Sequence, residues 1–233
     1  MSTNYNAVVV ETAPVKGGEY NAILGLAGAG FIGSSSVGFS VRAKGFPKVA
    51  YVRSNHIPPM TLISNGEPIQ SFRIHVDEED RLLFVVTESL VPAEGCWPIA
   101  EAILKYLRDK NTREIYAIEG LPFSVISSEV KALVYANKMD PGRFGYPVLR
   151  EGAVSGINSC ILEDCVENKF PYACLLIPTT KLTSIDYTGS AEAVEIINKL
   201  FKLGVDPSPL RGSDESKKSK QKQTGLGRMF KKG

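Results

Sequence analysis

The glycine-rich segment Tyr20–Val41 has the residue types and spacing of a site for a phosphate-containing cofactor. Within it, Gly28–Gly33 has the G-x-G-x-x-G pattern of a dinucleotide-binding turn. In dinucleotide-binding proteins this turn follows a strand and begins a helix, and an acidic residue about 20 positions later binds the ribose of the cofactor. The next predicted strand, Val49–Arg53, ends in Arg53 instead of an acid. The cofactor interpretation lacks its ribose-binding group, so we predict no bound cofactor.

Two other interpretations of this segment remain. Residues 21–41 carry no charge and are numerous enough to cross a hydrocarbon core of about 30 Å. Five glycines and four serines leave few strongly apolar side chains, and no basic flank precedes them, which argues against a membrane span. The third interpretation is a turn in which glycines let a helix pack close to a sheet, with no nucleotide. We favour this packing turn.

Other side chains that are capable of catalysis do not form a recognisable set. His56 lies in a proline-containing loop and His75 in an alternating strand, and neither has partners at metal-ligand spacing. The chain contains neither a G-x-S-x-G nucleophile elbow nor a phosphate-binding loop. Glu119 follows a predicted strand and could face a pocket at the carboxyl edge of a sheet. The sequence favours binding over catalysis, and we predict no metal site.

Charge divides the chain into two regions. The 233 residues carry a net charge of +2, but residues 211–233 hold eight basic and two acidic side chains, so the preceding residues are net acidic. A mildly acidic body is not typical of a nucleic-acid-binding protein. We predict an α/β domain over residues 1–210 and a disordered basic tail over residues 211–233. The first residues have no signal-peptide pattern and the four cysteines lack C-x-x-C spacing, which favours reduced thiols and a cytoplasmic location.

Apolar periodicity alternates between strand-like and helix-like segments. Asn65-Gly66 predicts a hairpin, Asp77–Asp80 a solvated acidic turn and Asp140-Pro141-Gly142 a further turn. The apolar run Arg81–Thr87 predicts a strand that is buried on both faces. The predicted strands are Tyr5–Val10, Asn21–Leu26, Val49–Arg53, Thr61–Ile63, Ile69–Val76, Arg81–Thr87, Glu114–Ile118, Lys131–Asn137 and Tyr172–Pro178. The predicted helices are Phe31–Val41, Trp97–Arg108, Val154–Val166 and Ser190–Leu203. This alternation predicts a mixed, mostly parallel sheet with helices on both faces.

Several motifs occur in the order seen in the proteasome assembly chaperone family, which the chain resembles over roughly residues 5–210. The helix start Gly152-Ala-Val-Ser-Gly156-Ile157-Asn158 resembles that family's G-x-x-x-G-[LI]-N pattern, and an apolar strand, Asp186 and an alanine-containing helix follow it. Glu119 stands where the family often has glycine. The further residues that carry the resemblance are Gly25, Gly28, Gly30, Gly33, His56–Pro59, Asn65-Gly66, Ser89–Leu107, Gly120–Pro122 and Leu210.

The resemblance implies a fold similar to nucleoside phosphorylases and a non-enzymatic role. Members of the family bind proteasome α-type subunits during assembly, and archaeal members are homo-oligomeric. Some archaeal members end in a tail with a penultimate tyrosine that inserts between α subunits. This chain ends Met229-Phe230-Lys231-Lys232-Gly233, so that docking mode is not expected.

The basic tail contains a second resemblance. Gln223–Phe230 is similar to the sliding-clamp interaction peptide, Q-x-x-h-x-x-a-a, where h is aliphatic and a is aromatic. One helical turn would bring Leu226, Met229 and Phe230 to one side as an apolar plug, with Gln223 at its edge. Met229 departs from the aromatic preference, and two glycines raise the entropy lost on ordering.

The sequence therefore predicts a homo-oligomeric assembly chaperone of the cytoplasm that binds proteasome α-type subunits or related assemblies. One alternative is an adaptor that binds a DNA sliding clamp through the tail. Another is a nucleotide- or nucleoside-binding enzyme that uses the crevice near Gly28–Gly33 and Gly120. A solubilising tail that binds nothing also remains open, and so does a tail that contacts a different protein groove or an anionic surface through Leu226, Met229, Phe230 and its lysines.

Overall fold

A mixed eight-stranded sheet with helices on both faces forms the protein. The structure is a computed structural model that describes residues 7–122 and 130–212. The strands are β1 (Val8–Glu11), β2 (Tyr20–Gly25), β3 (Lys48–Arg53), β4 (Thr61–Ser64), β5 (Glu67–Gln70), β6 (Phe72–Asp77), β7 (Leu82–Thr87), β8 (Thr112–Pro122), β9 (Leu133–Asn137) and β10 (Tyr172–Thr179). The helices are α1 (Ile32–Lys44), α2 (Ala93–Asp109), α3 (Gly156–Glu167) and α4 (Tyr187–Phe201), with short 3-10 helices at Ala29–Phe31 and Pro141–Phe144.

The sheet has parallel strands at its centre and antiparallel strands at its edges. Its order is β1-β3-β6-β7-β2-β8-β10-β9. Strands β7, β2, β8 and β10 pair in parallel, whereas β1, β3 and β6 on one side and β9 on the other pair antiparallel. The predicted mixed α/β sheet is confirmed, and the expected parallel pairing is limited to these four central strands. Their carboxyl ends share one edge, which is where ligands bind in open α/β sheets.

Two hydrophobic layers enclose the sheet because successive side chains of a strand point to opposite faces. In β2, Leu24 packs in the layer that contains α2 and α3, whereas Ile23 packs in the layer that contains α1. All six residues of β7 are buried, as the continuous apolar run Arg81–Thr87 predicted. The helix α4 completes the layer of α1.

The hairpin predicted from Asn65-Gly66 is formed by β4 and β5. Both turn residues have positive φ, 51° and 82°, which suits a type I′ turn. The predicted single strand Ile69–Val76 is wrong in one respect, because the chain leaves the hairpin at Ser71. Residues after Ser71 pair with β3 and β7 in the main sheet, whereas β5 pairs with β4 in a separate two-stranded sheet.

Strand β8 differs most from its prediction. The prediction ended it at Ile118, but the strand continues to Pro122 because its later residues pair in parallel with β10 as far as Thr179. Glu119 therefore lies within a central strand and not in a loop. The predicted turn at Asp140 is the start of a 3-10 helix, in which its carboxylate accepts a hydrogen bond from the Gly142 N–H.

The remaining expectations concern local chemistry. All four cysteines are free and buried, as predicted. The acidic turn lies between β6 and β7, where the Asp77 carboxylate accepts hydrogen bonds from the N–H groups of Glu79 and Asp80. In the part of the chain that the structure describes, every helix is too short or too polar to cross a bilayer. The predicted tail lies almost entirely outside the described residues.

Candidate functional site

The glycine turn between β2 and α1 is a close-packed junction. A Cβ atom at Gly33 would lie 2.2 Å from the Ile118 carbonyl oxygen, and one at Gly25 would lie 2.4 Å from the Val37 Cβ. A Cβ at Gly120 would lie 2.0 Å from the Ala29 carbonyl oxygen. Real Cβ atoms do not come closer than about 3.0 Å. Gly25 therefore lets α1 approach β2, whereas Gly33 and Gly120 let α1 and the turn contact the backbone of β8. The structure gives Gly33, the last glycine of the fingerprint, a packing role.

The same turn is tied to the start of α4. Gly30 has a φ of 61° and its carbonyl oxygen accepts a hydrogen bond of 2.8 Å from the Asp186 N–H. The Asp186 carboxylate accepts hydrogen bonds from the Thr179 hydroxyl at 2.6 Å and from the Gly189 N–H at 3.1 Å. Asp186, which the family resemblance singled out, is therefore the N-cap of α4 and holds the turn in place.

A small cavity lies at the carboxyl edge of the parallel strands. It has a volume of about 210 Å³ and is bounded by the segments that follow β2 and β7, by Glu119 of β8 and by the first residues of α3. Two separate sequence motifs line it together with Glu119: the glycine turn contributes Gly28, and the helix start contributes Gly156 and Asn158. The Asn158 Nδ2 atom donates a hydrogen bond of 2.8 Å to Glu119 Oε2. Periodicity did not reveal this contact because it joins residues that lie 39 positions apart.

Glu119 is the ionisable group of this cavity. Its side chain is 8% exposed, and burial raises its pKa to about 7 although the hydrogen bond from Asn158 acts in the opposite direction. The Asn158 Oδ1 atom is buried and makes no hydrogen bond within the described protein. An acidic group with a pKa near neutrality therefore lines this small space, and its second carboxyl oxygen, Oε1, can accept a hydrogen bond from a donor in the cavity.

Other candidate residues lie elsewhere. Gly152 lies in the loop before α3 and lines a shallow groove of about 570 Å³ with Leu149 and Val166, away from Glu119. The four tail residues that resemble a clamp-binding peptide lie outside the described residues: Gln223, Leu226, Met229 and Phe230.

The histidines have structural contacts. His75 donates through Nδ1–H to the Phe46 carbonyl oxygen at 2.8 Å, and burial lowers its pKa to about 4. His56 packs against Gly95: a Cβ atom added to Gly95 would lie 2.4 Å from the Cβ of His56. Within residues 7–122 and 130–212, His, Cys, Asp and Glu side chains form no group that could hold a metal ion.

Comparisons with known proteins agree in family and fold. A family model described as the PAC2 family matches residues 22–222. An uncharacterised protein of Methanocaldococcus jannaschii is 24% identical over 221 residues, which cover 94% of this chain and 85% of that protein. The crystal structure of Pyrococcus furiosus PbaA, described as an archaeal homologue of proteasome-assembly chaperone, has a TM-score of 0.84 at 21% identity and covers 96% of this chain and 94% of that chain. Pyrococcus furiosus PbaB, described as an archaeal proteasome activator, has a TM-score of 0.79 at 18% identity over 94% and 98% of the two chains.

Proposed function

The chain belongs to the PAC2 family, as its resemblance to proteasome assembly chaperones predicted, and from this membership we propose that it is an assembly chaperone for proteasome α-type subunits or a related assembly. The observation that carries the proposal is the family match across residues 22–222, which includes nearly the whole sheet and all four helices. The likeness to PbaA and PbaB supports the same fold. Its action would be binding, in the cytoplasm, without catalysis.

We propose the β4–β5 hairpin as a contact with the partner. The hairpin stands apart from the main sheet, and Ile63 beside its turn is 70% exposed. An open groove of about 520 Å³ lies between the hairpin and β3, and Ile57, Met60 and Ile69 contribute apolar side chains to it. Apolar side chains in an exposed groove favour association with another protein, because their burial removes apolar surface from water.

We also propose a boundary between the folded domain and the tail, and the contacts of Leu210 and Arg211 favour a position slightly beyond residue 210. Leu210 is buried in the layer of α1 and α4, and Arg211 forms an ion pair of 2.6 Å with Glu195. The folded domain therefore includes both residues, and a version without the tail should end at Gly212 and not at Leu210.

The test is reconstitution with purified proteasome α subunits, followed by native mass spectrometry. Three proteins are compared: the full chain, the chain that ends at Gly212, and the full chain with Ile63→Ser. Binding of α subunits by the first two and weaker binding by the third supports a chaperone that acts through the hairpin. Equal binding by all three refutes the hairpin contact, and absence of binding by the full chain refutes the proposed partner.

The tail is assessed in the same experiment by adding a DNA sliding clamp. A clamp that binds the full chain but not the chain ending at Gly212 would favour the adaptor alternative. The variant with alanine at Gln223, Leu226, Met229 and Phe230 then shows whether the peptide is responsible. A variant that still binds the clamp would exclude this peptide as the contact.

A further inference from the structure

The cavity at Glu119 has the features of a ligand site, which the proposed chaperone role neither uses nor explains. Two side chains that are more than nine-tenths buried, Glu119 and Asn158, present polar atoms to it. Glu119 Oε2 accepts a hydrogen bond from Asn158 Nδ2, whereas Glu119 Oε1 accepts none within the described protein. Buried polar atoms are ordinarily satisfied, so this carboxyl oxygen indicates a missing donor.

The start of α3, beside Glu119, supplies hydrogen-bond donors to the cavity. Gly156, Ile157 and Asn158 form the first turn of the 12-residue helix α3, whose N-cap, Ser155, makes no side-chain capping hydrogen bond. The first N–H groups of a helix have no partner within the helix, and the helix dipole favours negative charge there. Acceptors and donors thus lie on adjacent walls of one cavity.

Gly28 keeps space open above the carboxyl of Glu119. A Cβ at residue 28 would lie 3.5 Å from Glu119 Oε1, and Gly28 has an extended φ of −160° that any residue adopts. Neither strain nor a clash requires glycine at this position. The absence of a side chain leaves Oε1 accessible from the cavity.

Size and wall chemistry restrict the ligand class. A volume of about 210 Å³ is smaller than the ~300–1,000 Å³ of drug-sized pockets. The apolar wall is aliphatic, with Leu26, Leu90, Val91 and Ile157, and none of the described lining residues is aromatic or cationic. Nucleobases are commonly held by stacking on aromatic side chains, so this wall suits a small aliphatic molecule better than a base.

We propose that this cavity binds a small zwitterion with the chemistry of a free aliphatic α-amino acid. Its ammonium group donates to Glu119 Oε1, its carboxylate accepts from the first-turn N–H groups of α3, and its side chain contacts Leu90 and Val91. The charge of Glu119 is then compensated by the ammonium group, and the helix dipole by the carboxylate.

The test measures ligand binding to the full chain by isothermal titration calorimetry and by thermal shift. The first set of ligands is individual free amino acids, and the second set is adenine, guanine, cytosine and uracil. We expect one or a few small aliphatic amino acids to bind. Glu119→Gln retains the shape of the side chain but loses its charge, and it should weaken binding at least tenfold, as expected for a hydrogen bond to a charged group. Gly28→Ala should weaken binding without unfolding the protein.

The control is Glu101→Gln, which removes an exposed carboxylate from α2 and should leave the affinity unchanged. The proposal is overturned if no amino acid binds the full chain, or if Glu119→Gln binds as tightly as the original protein. Binding of bases alone would overturn the zwitterion assignment. Circular dichroism of each variant shows whether a lost signal reflects lost folding, and Gly28→Ala provides the second route if Glu119→Gln is misfolded.

Discussion

Replacing Gly33 with alanine tests the packing role of the glycine turn. The added Cβ would lie 2.2 Å from the Ile118 carbonyl oxygen and 3.0 Å from the Leu26 carbonyl oxygen. Both are backbone atoms, so they cannot rotate away, and α1 would have to move from β8 by about 0.8 Å to restore a 3.0 Å separation. The result is overpacking at the centre of the fold.

The expected cost follows from two opposing effects. Overpacking of a tight core costs about 1–3 kcal/mol, and this site belongs near the upper end because the obstacle is backbone. Alanine in place of glycine within a helix returns about 1 kcal/mol. We therefore expect Gly33→Ala to lower the free energy of unfolding by about 2 kcal/mol, which for a chain of this length lowers Tm by about 4–8 °C.

Gly38 provides a matched control in the same helix. A Cβ there would meet no atom closer than 3.4 Å, and the two nearest atoms are side-chain atoms of Arg42 and Val86. Gly38→Ala should raise the free energy of unfolding by up to about 1 kcal/mol through helix propensity. Urea unfolding followed by circular dichroism measures both variants. If Gly33→Ala is as stable as Gly38→Ala, the close approach of α1 to β8 is wrong.

Three further predictions concern buried charge. The folded-state pKa of His75 is lowered to about 4, so between pH 6.5 and 4 the unfolded chain binds more protons than the folded protein. The free energy of unfolding should therefore fall as the pH drops through this range. Urea titrations should show a weaker pH dependence for His75→Gln. The folded-state pKa of Glu119 is raised to about 7, so the free energy of unfolding should fall as the pH rises from 4.5 to 7. At pH 8, Glu119→Gln should be more stable than the original protein by up to about 3 kcal/mol. Equal stabilities of the two proteins at pH 8 would contradict this prediction. Arg73 is 2% exposed and donates two hydrogen bonds, of 2.6 and 2.8 Å, to Glu88. Glu88→Ala leaves this cation unpaired and should cost about 3 kcal/mol in chemical unfolding, whereas a cost below about 1 kcal/mol would show that the pair is solvated.

Local sequence patterns predicted those elements whose geometry depends on near neighbours. The Asn65-Gly66 pair predicted its hairpin because few residues other than Asn and Gly adopt positive φ at two successive positions. The run Arg81–Thr87 predicted a strand buried on both faces, because a continuous apolar segment has no polar face to expose. The missing acid and the missing basic flank predict a packing turn within Tyr20–Val41, and the structure identifies Gly25 and Gly33 as its close-packed residues.

Predictions failed where the outcome depends on a distant partner. Strand β8 continues past Ile118 because β10 pairs with it as far as Thr179, and nothing near residue 118 reveals that partner. The segment Ile69–Val76 divides at Ser71 because its two halves pair with strands of different sheets.

The candidate site shows the same division between local and tertiary information. The sequence alone determined an α/β chain that resembles the correct family, and it predicted the helix Val154–Val166, which the structure has at Gly156–Glu167, because these depend on residue type and short spacing. Only the tertiary structure brought Asn158 to Glu119 and left Gly28 open beside it. The parallel order of β7, β2 and β8 decides which loop ends share one edge of the sheet, and that order is set by packing between distant segments.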